Sequence, residues 1–166
     1  MELVDIYNEQ YQYVRTQQRF DNKALNEYNK SVHAYIINNN NELLIQKRSD
    51  TKKENPGMWE AVGGGVEYNE DSQTAILREI KEEINKIFYK NDLEFIGTIK
   101  YPGYIADVYV VKCNDAIETF KIQEGEVSDI KWATHEDIEE LLKQNIFYSS
   151  SYNYFNNYYL KNKWSL

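Results

Sequence analysis

Short apolar runs separated by polar turns divide this chain into small elements. Val32 to Ile37 (VHAYII) reads as a strand, and ELLIQKR, ending at Arg48, reads as a second. The asparagines 38–41 between them tolerate left-handed backbone angles and predict a hairpin turn, not a disordered tract. Ser49 to Gly57 is polar and ends in Pro-Gly, the mark of an exposed loop. MWEAV reads as a short strand running into a flexible bend at Gly63, Gly64 and Gly65. Asp71 or Ser72 caps a helix that continues to about Ile84. LEFIGTIKY and ADVYVVKC, rich in β-branched and aromatic residues, predict two strands, and DIKWA a shorter one. Thr134 with Asp137 forms a capping box for the helix EDIEELLKQ. The stretch YSSSYNYFNNYYLKNKW predicts a helix with an aromatic face, and VDIYN with YQYVRTQQR predicts an extra hairpin near the N-terminus. Strands and helices mix without regular βαβ alternation. The fold class is therefore α+β, a mixed αβα sandwich and not a doubly wound parallel sheet.

The helix after the glycines carries two neighbouring stripes. Ile76, Ile80, Ile84 and Ile87 form the apolar one, which should face the core. Glu79, Glu82 and Glu83 fall together beside it, at the edge of that core. Like charges at this spacing cost a few tenths of a kcal/mol per pair on an exposed helix. A divalent cation reverses the sign, and Mg²⁺ favours a few carboxylates, waters and phosphate oxygens. The three glycines lack side chains, so backbone can approach an ion or a diphosphate closely. The plainer reading of EIKEE is a solvated helix face, since such strings are common.

Composition narrows the classes. The formal charge of −8 disfavours binding to a nucleic-acid polymer, while a small phosphorylated ligand is allowed if a cation or local basic patch screens it. No apolar run reaches the roughly 18 residues of a membrane span, and MELVDIYNEQ does not read as a signal peptide. The single cysteine, Cys113, forms no internal disulfide, which fits a cytoplasmic location. His33 and His135 lie far apart, and neither HExxH, paired-cysteine zinc spacing nor GxSxG is present.

The spacing Gly64, five residues, Glu70, seven residues, Arg78-Glu79-Ile80-Lys81-Glu82-Glu83 closely resembles the Nudix box, G-x5-E-x7-R-E-U-x-E-E-x-G-U, where U is a bulky apolar residue. LLIQKRS, PGMWE and EVSDIKW also look like Nudix surroundings, so the likeness covers a core of about 31–144. Residues 1–30 are then an N-terminal hairpin-like extension and 145–166 an aromatic C-terminal segment, within one domain of 166 residues. The box departs at its end: Asn85 replaces the last glycine and Lys86 the apolar residue after it. Asparagine is the next best left-handed helix cap, and Ile87 is expected to supply the apolar contact.

The resemblance implies a Nudix-like αβα sandwich and hydrolysis of a nucleoside diphosphate linked to another group. It implies that Glu79, Glu82 and Glu83 hold Mg²⁺ or Mn²⁺, with the Gly63 carbonyl as a further ligand. Gly64, Glu70 and Arg78 would be structural. A later glutamate, Glu126 first and Glu124 second, would be a ligand or base, so the proton acceptor is Glu83 or Glu126. Lys47, Arg48, Lys52 and Lys53 can bring positive charge to a phosphate, although they also read as an ordinary polar strand end and loop. Trp59, Tyr101 and Tyr104 can stack on a base, against the plainer expectation that strand aromatics are core. A homodimer is left open. IQKRS and PGMW also resemble the isopentenyl-diphosphate isomerase branch, but no cysteine follows Trp59. A non-catalytic Nudix-like binding module is the remaining alternative, disfavoured by the complete set of box glutamates.

Overall fold

A computed structural model describes residues 2–160 of the chain. The expected C-terminal helix is present as far as that range reaches, and its continuation through 161–164 lies outside the described residues.

The sheet is organised around the strand β3 (Tyr28–Ile37). It runs parallel to β8 (Tyr104–Lys112) over a continuous register from Asn29–Tyr104 to Ile37–Lys112. Antiparallel partners complete the mixture: β7 (Leu93–Tyr101) on β8, β6 (Val62–Gly65) on the first half of β3, and β4 (Leu43–Arg48) on its end. The two-residue β5 (Trp59–Glu60) and β9 (Val127–Ala133) both pair with β4. The N-terminal hairpin of β1 (Leu3–Tyr7) and β2 (Tyr13–Gln18) joins the same sheet through the start of β3.

β3 and β4 are apolar on both faces because helices cover both, which turns alternation into a continuous apolar run. On one face Ala34, Ile36 and Leu44 pack with Ala75, Ile76, Ile80 and Ile84 of α1 (Ser72–Ile84). On the other, Tyr35, Ile37, Leu43 and Ile45 pack with Ile138 and Leu141 of α2 (His135–Lys143) and with Tyr152, Phe155 and Tyr159 of α3 (Tyr152–Leu160). This is the expected αβα sandwich with a mixed sheet. The aromatic face of α3 is literal: Phe155 stacks on Tyr35 with ring centroids 4.2 Å apart.

The local signals act as their chemistry requires. Asn41 has φ of 60° in the β3–β4 turn, Asp71 caps α1 by accepting from the Thr74 N–H at 2.7 Å, and Thr134 and Asp137 form the capping box of α2. Asn85 ends α1 at φ 52°, in the left-handed conformation. Ile87 does not take up the apolar contact: the chain turns away after Asn85 and leaves Ile87 68% exposed. The Lys86 ammonium instead lies 4.6 Å from the Phe120 ring centroid and pairs with Asp115. The glycines form no flexible bend. Gly63, Gly64 and Gly65 are strand residues of β6, in register with His33, Val32 and Ser31. No helix among the described residues is long and apolar enough to cross a membrane.

Candidate active site

β6 feeds the turn before α1, and the next strand over, β3, holds β6 against the first turns of that helix. This brings the glycine backbone under the glutamate face. A Cβ on Gly64 would overlap the Glu79 carboxylate, so only glycine leaves that space. The Gly63 N–H points at Glu83 Oε2, 3.4 Å away.

Glu83 is buried, and its Oε2 also accepts from Gln46 Nε2 at 2.8 Å. Burial pushes its carboxyl well above the usual range, with the nearby Glu79 adding to the effect. Burial likewise raises Glu79 and Glu60. Gln46 is itself buried, and its Oε1 has no hydrogen-bond partner. Glu82 stands further out, with a side chain 49% exposed.

Arg78 gathers the acidic groups from the other side. Its guanidinium donates to both oxygens of Glu70 at 3.0 Å, to the Gly65 carbonyl at 3.0 Å, to Glu79 at 2.8 Å and to Glu82 at 3.3 Å. The loop before α1 is thereby tied to the helix by one planar fork.

Glu79, Glu82, Glu83 and Glu126 line one cavity of about 700 Å³, together with Arg48, Lys52 and Lys53. Glu126 is held by an ion pair with Lys52. Its loop is anchored by backbone: Gln123 N–H donates to the Glu83 carbonyl at 2.9 Å, and Ser49 N–H to the Glu126 carbonyl at 2.9 Å. Glu124 is exposed and does not line the cavity. Among the described residues, no three acidic, imidazole or thiol groups stand close enough together to hold an ion as placed. Glu79 and Glu82 are turned onto the Arg78 guanidinium.

The donor set nonetheless suits a hard divalent ion. Its donors are all oxygens, three carboxylates and the Gly63 carbonyl, and Glu83 is a buried carboxylate with hydrogen-bond donors but no cation in contact.

Several sequence candidates fall elsewhere. Trp59 is 8% exposed within the sheet–α2–α3 core, and the Lys131 ammonium lies 4.6 Å from its ring centroid, so it offers no face to a base. Strand alternation is the reason: Trp59 and Glu60 project to opposite faces, and Glu60 takes the cavity side. The same alternation turns Lys47 away while Gln46 and Arg48 face the carboxylates. Tyr101 stacks on Tyr104 at 4.7 Å and donates to the Ser150 carbonyl, and of the two only Tyr104 lines a cavity beside the glycines. Cys113 is buried beyond the end of β8 and lines no site cavity.

Gln46, Glu60 and Arg19 escaped the sequence reading. Gln46 carried one available signal, a polar residue inside the apolar run LLIQ. The chain's N-terminal hairpin gave no hint that Arg19 reaches the site.

The NUDIX domain family model matches residues 27–155 of this chain. The chain belongs to the Nudix family. A Nudix hydrolase of Listeria innocua is 29% identical over 143 residues, covering 85% of each chain. The structure of the Deinococcus radiodurans protein DR0079 superposes with a TM-score of 0.75 at 21% identity, covering 90% of this chain and 94% of that one. A Francisella tularensis bifunctional NMN adenylyltransferase/ADP ribose pyrophosphatase, complexed with AMP and a Mn ion, matches with a TM-score of 0.65 at 18% identity. That match covers 81% of this chain and 41% of the Francisella one. As a Nudix hydrolase the chain is a pyrophosphohydrolase acting on nucleoside diphosphate derivatives.

Proposed function

We propose that this Nudix chain hydrolyses the diphosphate bond of a nucleoside diphosphate linked to another group, with Mg²⁺ or Mn²⁺ as cofactor. The observation that carries the reading is Glu83: a buried carboxylate, joined by Glu79 and Glu82, at the wall of a cavity that also holds Arg48 and Lys52. Glu79, Glu82, Glu83 and the Gly63 carbonyl would hold the ion. When bound, the ion offsets diphosphate charge and acidifies water.

The chain's own residues supply the rest. Gln46 and the Gly63 N–H fix Glu83 in place. Arg48, Lys52 and Lys53 draw the phosphates into a cavity that is also lined by glutamates. Glu126, with a side chain 41% exposed at the cavity wall, takes the proton from water attacking phosphorus in line. Glu83 is the more enclosed of the two candidate bases and serves as ligand.

Phosphate or nucleotide release from a panel of nucleotide sugars, ADP-ribose, dinucleotides and nucleoside triphosphates, with Mg²⁺ or Mn²⁺, tests this. Release by the wild type and its abolition in Glu83→Gln is the expected result. Equal release by Glu83→Gln overturns the assignment.

A further inference from the structure

A second cavity, of about 420 Å³, opens on the far side of the glycine strand. It shares Arg19, Phe20, Arg48 and Glu54 with the carboxylate cavity, so these residues form the neck between the two. Arg19 comes from the end of the N-terminal hairpin. Its guanidinium lies over β6, with Nη2 3.1 Å from where a Gly65 Cβ would stand. Its Nη1 donates to both oxygens of Glu2 at 2.8 Å. Both partners are about one-third exposed, so this ion pair is weak and exchangeable. Arg48 is more enclosed and fixed to Glu60 at 2.8 Å.

Beyond the neck the cavity wall carries the hydroxyls of Ser31, Tyr104 and Tyr148 and the Lys23–Asn29 pair, while the buried Ser151 hydroxyl is already engaged by His33 and Tyr35. Hydroxyls and amides of this kind match a group that both donates and accepts hydrogen bonds at many points.

We propose that the N-terminal hairpin supplies a phosphate clamp: Arg19 exchanges Glu2 for the substrate's diphosphate, opposite Arg48, and the cavity beyond takes a second, polyhydroxylated end. The substrate class is then a diphosphate with two organic ends, a nucleoside diphosphate carrying a sugar at its far end, and not a nucleoside triphosphate. This rests on the diphosphate-hydrolase reading for its chemistry, but the clamp can be measured without turnover.

Equilibrium binding of ADP-ribose and of ATP is measured by titration calorimetry in a chelator, where the chain's own cations hold the ligand. Wild-type protein should bind ADP-ribose at least about tenfold more tightly than ATP. Arg19→Ala should weaken ADP-ribose binding about tenfold or more, the scale of a charge-assisted hydrogen bond, and Arg19→Lys by less. Glu2→Gln should tighten it, because the competing carboxylate is gone; a merely structural Glu2–Arg19 pair would give no tightening. Thermal melts of each variant separate misfolding from lost contact. Unchanged affinity in folded Arg19→Ala, equal affinity for ATP, or no ADP-ribose binding overturns the clamp. Clamp-dependent binding with no hydrolysis in Mg²⁺ sinks the hydrolase reading and leaves the clamp standing.

Discussion

Gln46 Nε2 donates to Glu83 Oε2 at 2.8 Å, one strand residue holding a helix carboxylate inside the protein. Burial lifts the Glu83 carboxyl well above the 4.5 of a free glutamate. Between those two values the folded chain keeps a proton that the unfolded chain has lost. The metal-free protein should therefore lose stability as pH rises through that window. Glu83→Gln should flatten this part of the profile, and melting curves against pH in a chelator check it. Added Mg²⁺ should raise the melting temperature of the wild type and have far less effect on Glu83→Gln.

Gly64→Ala separates stability from chemistry. The new methyl meets the far end of the Glu79 side chain, which can swing away. Alanine in a strand is otherwise no worse than glycine. Unfolding free energy should change by less than about 1 kcal/mol, while displacement of Glu79 should cost about 10- to 100-fold in metal affinity or activity. Urea unfolding and metal-dependent rates on the same preparation give both readings.

His33 offers a second pH signature. It is partly buried at the wall of the cavity beyond the glycine strand, its Nδ1 is 2.6 Å from Ser151 Oγ, and burial pushes its pKa down to about 4 from 6.5. Across that interval the unfolded chain binds a proton that the folded chain refuses. Stability contributed by neutral His33 is thus complete above pH 6.5 and is lost as pH falls toward 4. In His33→Gln the slope over this interval should shrink, as denaturant titrations at stepped pH would show.

Phe155→Ala probes the aromatic helix. The ring is fully buried and lies 4.2 Å from Tyr35, 5.0 Å from Tyr159 and 6.3 Å from Tyr152 by centroid. Its removal should cost about 3–5 kcal/mol by the scale of buried aromatic truncations, measured by urea unfolding.

What the sequence disclosed was local. Asn41, Asp71, Asn85 and the Thr134–Asp137 box each act through their own backbone within a few residues, so their roles are readable without the fold. The glutamate spacing is local too, and it put Glu79, Glu82 and Glu83 on one helix face. Which side of the sheet a strand residue serves was not readable. Trp59 and Lys47 looked like ligand contacts, yet a one-residue alternation gave those places to Glu60 and to Gln46 and Arg48. Arg19 was invisible for a different reason. Its approach to Gly65 depends on how the hairpin is hung on β3, a pairing far apart along the chain. Ile87 failed because the left-handed cap redirects the chain one residue after the periodic pattern ends.

The loop bearing Glu126 is pinned by its main chain, from Gln123 to the Glu83 carbonyl and from Ser49 to the Glu126 carbonyl. Peptide groups are the same whatever side chains they carry. Position 124 can therefore drift, and new ligand preferences can be tried there, while Gly125, at φ 85°, keeps the turn and the base candidate stays registered to the helix. Descendants of such a scaffold inherit their reaction through the backbone and diversify their clientele through the rim.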